Sequence, residues 1–254
     1  MELLINGSSS KGNSYLLIAS DGILAIEAGM PLGKILSEND VSLLDIKGCI
    51  ISHEHGDHAK FAKNYAKMGI DIYASQGTLD ALALKGHRYH AIQSANIKDA
   101  IKPKAQIGNF EVLAFDIIHD AKMPVGYLIR HKECGTVLFI SDTFMCPFNF
   151  KNIGLNQLLI EANYSEEILS RNLDNGSVHT KVYYRIKNSH MSLETLQEML
   201  RANVITNVNN IVLIHLSDQN SDSEMFKKRI TEQTGKTVHV AEKGMRIPFN
   251  ITPF

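Results

Sequence analysis

Three histidines and one aspartate lie within six consecutive positions of this chain. Residues 53–58 read His-Glu-His-Gly-Asp-His and directly follow the apolar run Gly-Cys-Ile-Ile-Ser at 48–52. Imidazole nitrogens and carboxylate oxygens are ligands for zinc and similar divalent ions. Without a metal, four clustered titratable side chains would leave repelling or unpaired polar groups. The motif therefore predicts a metal site in a loop that follows a β-strand.

The overall composition is typical of a soluble globular protein. The chain has 254 residues, 44% of them hydrophobic and 21% charged, and its length suffices for one large domain or two small ones. Its formal net charge of −1 is unlike the strongly basic balance of proteins that coat nucleic acid, although a local basic groove is compatible with it. The sequence shows no repeat, low-complexity tract or interdomain linker, and we expect one domain over residues 1–254.

The chain carries no sequence signal for a membrane or for secretion. No apolar stretch approaches the roughly 20 residues of a membrane span. Residues 1–7 lack the basic start and the cleavage site of a signal peptide. Cys49, Cys134 and Cys146 are far apart and form no C-x-x-C motif, as is usual for reduced thiols. We expect a cytoplasmic protein with no membrane partner.

Short apolar runs separated by turn residues predict a mixed α/β fold. The pattern predicts strands over residues 14–19, 23–27, 46–52, 70–74, 110–118, 125–130, 137–141, 158–162, 211–215 and 238–240. It predicts helices over residues 59–68, 78–85, 192–202 and 223–234, with Ser192 as an N-cap. Many strands with interspersed helices favour an α/β sandwich over an all-parallel sheet.

Three further candidate ligands each follow an apolar strand-like run. His119, Asp142 and His215 come directly after such runs, where α/β folds collect their chemistry. Taken singly, each of them could instead be a solvated strand end. A catalytic centre with two metals needs more than the four ligands of the 53–58 motif, including one that bridges, and these residues would complete it.

The joint pattern resembles that of the metallo-β-lactamase-fold hydrolases over nearly the whole chain. The resemblance implies an αββα sandwich with two divalent metal ions at one edge of the sheets. It implies that His53, His55 and His119 hold one ion. It implies that Asp57, His58 and His215 hold the other, with Asp142 bridging. The complete set is similar to the ribonuclease Z and glyoxalase II branches rather than to the antibiotic-hydrolysing lactamases. Zinc suits the histidines, and manganese or iron can occupy similar ligand sets.

A finer resemblance is to the WalJ/YycJ-like group, which is regarded as exonuclease-like. The matching segments are Gly-Ser-Ser-Ser-Lys-Gly-Asn-Ser-Tyr at 7–15, His-Asp-Ala at 119–121, Pro-Val-Gly-Tyr at 124–127, Glu-Ala-Asn at 161–163, His-Met-Ser at 190–192 and His-Leu-Ser at 215–217. Glu27 stands where that group tends to have Asp, which keeps a carboxylate near the site. Tyr164 stands where the group tends to have His, which leaves the substrate open.

The resemblance implies phosphodiester chemistry at the two metals. Two divalent ions can share a hydroxide, lower its pKa and neutralise a phosphate oxygen. Asp142 is suited to bridging because a carboxylate has two oxygens. Asp57 can hold the second metal and also orient the attacking hydroxide. We expect in-line attack of this metal-bound hydroxide on a phosphodiester.

His190 is the second candidate catalytic residue, with Asp57. It can contact the scissile phosphate or donate a proton to the leaving oxygen. The alternative is a local cap or a surface histidine.

Glu161 and Asn163 are expected to be structural supports. The 7–14 loop is expected to be a tight turn near the site, since it lacks the lysine-serine ending of a phosphate-binding P-loop.

Two basic segments are candidates for contact with an anionic substrate. Residues 181–187 place three basic side chains around two tyrosines, a mixture that can clamp phosphates and stack on bases. The alternative, which the sequence alone slightly favours, is a solvated strand or loop. Lys60, Lys63 and Lys67 are at helical spacing, so they either guide the substrate or form an ordinary exposed face.

The sequence therefore predicts a metal-dependent phosphodiesterase of the nuclease type, acting on nucleic acid or nucleotides. The first alternative is a phosphodiesterase for small cyclic nucleotides, which fits the near-neutral charge. The second is a thioester or lactone hydrolase of the glyoxalase type. A metal-stabilised binding protein is a further, non-enzymatic alternative. The sequence leaves the oligomeric state open, and a homodimer is compatible with it.

Overall fold

Two mixed sheets pack face to face, and helices cover both outer faces. The computed structural model describes residues 1–95 and 105–252. Within them, the first sheet has seven strands: β1 (Glu2–Gly7), β2 (Ser14–Ala19), β3 (Gly22–Ile26), β4 (Ile46–Ile50), β5 (Ile72–Ala74), β6 (Tyr89–Ala91) and β14 (Arg246–Pro248). The second sheet also has seven: β7 (Ala105–Ile107), β8 (Phe110–Asp116), β9 (Val125–His131), β10 (Gly135–Ile140), β11 (Leu155–Glu161), β12 (Asn210–Ile214) and β13 (Thr237–Val240).

The helices lie mainly in the connections between parallel strands. They are α1 (Leu32–Asn39), α2 (Gly56–Ala59), α3 (Ala62–Lys67), α4 (Gln76–Ala81), α5 (Glu166–Asp174), α6 (Thr180–Ser189), α7 (Leu193–Ala202) and α8 (Ser223–Thr234). The Ser192 hydroxyl accepts a hydrogen bond from the Thr195 amide and starts α7, as predicted. In the described part of the chain, no helix is long and apolar enough to cross a membrane.

Each sheet is half antiparallel and half parallel. The first has the order β14-β1-β2-β3-β4-β5-β6, parallel from β3 onward. The second has the order β13-β12-β11-β10-β9-β8-β7, parallel from β13 to β10. Parallel strands end at one edge of a sheet, so residues that follow them are brought together.

Three apolar layers stabilise the sandwich, one between the two sheets and one between each sheet and its helices. They form because alternate residues of a strand face opposite sides of its sheet. Leu3 and Ile5 pack between the sheets, whereas Leu4 packs beneath the helices of the first sheet. In β12, Val212 and Ile214 face the other sheet, whereas residues 211 and 213 pack against α7 and α8. The predicted αββα sandwich is confirmed, and the single domain over 1–254 stays a prediction.

Several predicted elements differ from the structure. The predicted helix over 59–68 is two short helices, α2 and α3, and Lys60 lies in the break between them rather than on one continuous face with Lys63 and Lys67. The helix predicted over 78–85 ends at Ala81, before Ala83 with its left-handed φ of 50°. Residues 181–187 belong to helix α6 instead of a strand or loop. The sequence pattern also missed β1, β6, β7, β14, α1 and α5, most of which are short or lack regular alternation.

Candidate metal centre

The seven predicted metal ligands meet at one edge of the two sheets. His53 lies three residues beyond β4, His55 precedes α2, and the first turn of α2 carries Asp57 and His58. His119, Asp142 and His215 follow β8, β10 and β12 of the other sheet. Among the described residues, these side chains form two neighbouring groups of ligand atoms, His53–His55–His119 and Asp57–His58–Asp142–His215.

The first group presents three imidazole nitrogens to one point. His55 Nδ1 lies 3.1 Å from His119 Nε2, and the buried His53 Nε2 has no hydrogen-bond partner. In two of the three rings the opposite nitrogen is occupied: His119 Nδ1 is 2.8 Å from the Ser189 carbonyl oxygen, and His53 Nδ1 is 2.9 Å from Ser52 Oγ. Such partners fix the rings so that the remaining nitrogens can hold an ion.

The second group mixes imidazoles with carboxylates. His58 Nε2 lies 3.4 Å from Asp57 Oδ2 and 3.3 Å from Asp142 Oδ1. His215 Nε2 lies 3.3 Å from Asp57 Oδ2. The four side chains offer ligand atoms within 4.8 Å of one another, a set that suits zinc, manganese or iron.

Asp142 lies between the two groups and directs one carboxylate oxygen to each. Its Oδ2 is 3.9 Å from His53 Nε2 and 3.8 Å from His119 Nε2. Its Oδ1 is 3.3 Å from His58 Nε2 and 3.2 Å from His215 Nδ1. Each of its two oxygens therefore faces a different group of candidate ligand atoms.

Two buried glutamates lie behind the ligands. Glu27 accepts the Ser52 amide at 3.3 Å, and its Oε1 is 3.4 Å from His58 Nδ1. Glu161 Oε2 accepts the backbone amides of Thr143 and Met191 at 3.0 and 3.1 Å. Glu161 Oε1 is 2.7 Å from His190 Nδ1 and 3.2 Å from His215 Nδ1. Glu161 therefore connects a ligand, the candidate catalytic histidine and the loop after Asp142.

Sequence reasoning missed two residues of the 7–14 loop that contact ligands. Asn13 Nδ2 lies 3.3 Å from Asp57 Oδ2 and 3.1 Å from His58 Nε2. Ser8 Oγ accepts the His215 amide at 2.9 Å. The available signal is the Gly-Ser-Ser-Ser-Lys-Gly-Asn segment at 7–13, from which the sequence predicts only a tight turn near the site.

Two histidines of the first ligand group have lowered pKa values, whereas both histidines of the second group have raised ones. Burial, reinforced by the neighbouring His58, holds the pKa of His53 well below its ordinary value, and burial likewise lowers the pKa of His119. Burial opposes charge on His58 and His215 as well, but several carboxylates together outweigh it: Asp142, Glu27 and Asp57 around His58, and Asp142, Asp57 and Glu161 around His215. The pKa of His58 therefore rises well above its ordinary value and that of His215 rises to about 10. Neutral rings are ready to ligate, whereas ions entering the second group would replace protons.

The residues present fit divalent metal ions. An unpartnered nitrogen on a fully buried His53 is costly unless something satisfies it, and a cation held by the first group would do so. The buried carboxylates of Glu27, Asp142 and Glu161 likewise favour positive charge nearby.

His190 borders the cleft that opens onto these ligands. It directly follows α6, its side chain is 20% exposed, and its ring centroid lies 5.7 Å from that of His119 and 5.4 Å from that of His215. Burial opposes its charging, but Glu161 raises the pKa of His190 above its ordinary value. The cleft has a volume of about 180 Å³ and is lined by five of the candidate ligands and by Ser10, Asp120, Arg185, Ser189 and His190.

Comparison with known proteins identifies the family. The sequence profile described as the Beta-lactamase superfamily domain matches residues 34–216. The chain belongs to the beta-lactamase superfamily. The match spans both ligand groups, from the 53–58 motif to His215.

Curated relatives and a solved structure agree with this assignment. Exodeoxyribonuclease WalJ of Streptococcus pneumoniae is 28% identical over 255 residues, covering 97% of this chain and 91% of the relative. Exodeoxyribonuclease YycJ of Bacillus anthracis is 25% identical over 237 residues, covering 89% of this chain and 86% of the relative. The metallo-beta-lactamase fold protein YhfI from Bacillus subtilis superposes with a TM-score of 0.70 at 17% identity, covering 97% and 98%, which shows the shared fold. Both predicted resemblances are confirmed, and the chain is a metal-dependent hydrolase.

Proposed function

We propose that this superfamily member is a binuclear phosphodiesterase of the nuclease type. The placement of Asp142 carries the proposal, because its two oxygens face two separate groups of ligand atoms. Two adjacent divalent ions suit in-line displacement at a phosphate. The relatives named exodeoxyribonuclease support DNA as the substrate.

Most of the site residues would hold the ions, and Asp57 and His190 would also act on the water or the substrate. His53, His55 and His119 would hold one ion, and Asp57, His58 and His215 the other, with Asp142 shared. When bound, the ions would activate water and neutralise charge on the phosphate. Asp57 Oδ2, held by Asn13 and near His215, is positioned to orient the attacking group. His190, held through Nδ1 by Glu161, can contact the scissile phosphate or protonate the leaving oxygen.

A phosphodiesterase for cyclic nucleotides is the second candidate. A pocket of about 290 Å³ adjoins the metal cleft and is lined by Asn163, Arg185, Ser217 and Gln219, among others. This volume is at the small end of the usual range for small-molecule sites, which favours a ligand the size of a mononucleotide.

The first experiment measures turnover by purified protein with quantified metal on single-stranded DNA, RNA and a panel of cyclic nucleotides. Shortening of the polymers supports the nuclease, and turnover of cyclic nucleotides alone supports the second candidate. If a protein with two bound ions cleaves neither, both proposals are wrong, and thioesters and lactones are the next substrates.

Asp142→Ala tests the bridging role within the same assay. We expect turnover to fall about 10³-fold or more, because charge stabilisation by the metals is worth several kcal/mol. The metal content, measured by elemental analysis, should fall below two ions per chain. Asp116→Ala is the matched control, since Asp116 is an exposed carboxylate at the end of β8. An Asp142→Ala protein with two ions and normal turnover would contradict the assignment.

A further inference from the structure

Helix α6 presents one exposed face that carries positive charge and no carboxylate. Its sequence, Thr-Lys-Val-Tyr-Tyr-Arg-Ile-Lys-Asn-Ser, contains three basic residues and no acidic one. Lys181, Tyr184, Arg185 and Asn188 are at helical spacing of three and four residues, and all four are exposed. We call these four residues the α6 face.

The other basic and aromatic side chains of α6 are engaged in holding the helix in place. Lys187 Nζ lies 2.8 Å from Glu166 Oε2 and 5.5 Å from the centroid of the Tyr183 ring. Tyr183 packs against a small apolar cluster that includes Tyr164 and Ile186. By contrast, Lys181 and Arg185 form no hydrogen bond or ion pair with any residue that the structure describes. The α6 face is therefore free to bind a ligand.

The α6 face is continuous with the metal centre. Helix α6 ends at Ser189, whose carbonyl contacts His119, and His190 follows. Arg185, one turn earlier, lines both the metal cleft and the adjoining pocket of about 290 Å³. The acidic group on that pocket, Asp218, lies 3.3 Å from Lys11 Nζ and is thereby partly neutralised. Arg185 lines both cavities, so an anionic chain that runs from the metal cleft into this pocket would pass its guanidinium group.

The exposed ring of Tyr184 indicates which kind of anionic polymer the α6 face would bind. Its side chain is 59% exposed, and it meets Tyr183 edge to face with ring centroids 5.3 Å apart. An exposed aromatic ring beside free cations is the combination that binds single strands, since the ring stacks on a base and the cations contact phosphates. A base within a duplex is already stacked on its neighbours and offers no free face.

We propose that the α6 face binds single-stranded nucleic acid next to the cleavage site, with Arg185 on the phosphate adjacent to the scissile one and Tyr184 stacked on an unpaired base. This inference rests on the proposed nuclease function and specifies its substrate as a single strand. Arg185 and Tyr184 are positioning residues for the polymer and lie outside the set of metal ligands.

Binding is tested by fluorescence anisotropy of the metal-loaded protein with an end-labelled single strand whose phosphorothioate linkages resist cleavage. We expect Tyr184→Ala to weaken binding about tenfold, in line with the loss of one base stack. We expect Arg185→Gln to reduce the slope of log Kd against log salt by about 0.7, the value for one phosphate contact on a single strand. Arg185→Lys should restore that slope because it keeps the charge.

Arg201→Gln is the matched control, because Arg201 is another exposed arginine near the end of a helix, α7, and has no partner among the described residues. It should bind as the unmodified protein does. A duplex of the same sequence should bind Tyr184→Ala and the unmodified protein equally well. If Tyr184→Ala weakens binding of the duplex as much as binding of the single strand, Tyr184 does not stack on an unpaired base.

Cleavage assays separate this inference from the proposed function. If the unmodified protein cuts single strands while Tyr184→Ala and Arg185→Gln keep its KM and Kd, the inference is wrong and the nuclease proposal stands. If the unmodified protein, carrying two ions, cuts no polymer, the nuclease proposal itself fails.

Discussion

Three residues at the metal centre adopt a left-handed backbone although none is glycine. Glu27, Asp142 and His215 have φ values of 65°, 44° and 55°. Each lies at or just beyond the end of a strand, where the chain turns away from the sheet. Such conformations cost about 1–3 kcal/mol each and persist only where surrounding contacts impose them. Here the Glu27 amide donates to the Ile50 carbonyl at 2.8 Å, and the His215 amide donates to Ser8 Oγ.

His190 is the residue whose replacement separates chemistry from metal binding. We expect His190→Ala to keep two ions per chain and to lose about 10²–10⁴-fold in kcat, the usual contribution of a general acid or base. The measurement is steady-state turnover of single-stranded DNA together with elemental analysis. A variant with full metal content and a normal rate would remove His190 from the mechanism.

At the scale of elements, the site depends on close contact among three backbone segments. The Asn13 amide donates to the Asp57 carbonyl at 2.7 Å, and the Gly29 amide donates to the Asn13 carbonyl at 3.0 Å. A Cβ on Gly29 would lie 1.8 Å from the Asp57 carbonyl oxygen and 2.6 Å from the Asn13 nitrogen. Only glycine permits this approach, which holds the start of α2 against the loop after β1.

Gly29→Ala should therefore damage stability and the second ligand group together. We expect the free energy of unfolding to fall by about 1–3 kcal/mol, because backbone atoms must move to admit the methyl group. Urea denaturation and metal titration would measure the two effects. Gly33→Ala is the control, since a Cβ there meets nothing within 4 Å and the residue lies in α1. That variant should be neutral or slightly more stable. Equal stability of both variants would refute the argument.

At the scale of the whole molecule, the candidate ligands of the two sheets meet at one edge of the sandwich. His53, His55, Asp57 and His58 come from the first sheet, and His119, Asp142 and His215 come from the second. Bound ions would therefore link the two halves of the sandwich and offset the charge of its buried carboxylates.

Removal of the metal should consequently lower global stability. A ligand that binds only the native state at 100 times its Kd stabilises it by about 2.7 kcal/mol. We expect a chelator to lower the Tm of the unmodified protein, as measured by calorimetry, and to have a smaller effect on Asp142→Ala. An unchanged Tm after verified removal of the ions would contradict this structural role.

The sequence alone determined the fold class and the candidate ligand set. The 53–58 motif and the strand ends before His119, Asp142 and His215 are local patterns, since alternation of apolar residues is set by neighbours along the chain. The resemblance of this joint pattern to the metallo-β-lactamase-fold hydrolases then implied that the seven residues form one site.

Only the tertiary structure decided which side chains serve the site and which serve the fold. In residues 181–187, Lys187 and Tyr183 are used to anchor α6 through Glu166 and an apolar cluster, whereas Tyr184 and Arg185 stay exposed. Likewise, Ser8 contacts His215, which lies 207 positions away along the chain. Asn13 contacts Asp57 and His58, which lie 44 and 45 positions away. Such contacts depend on how distant segments pack, and local periodicity carries no information about that packing.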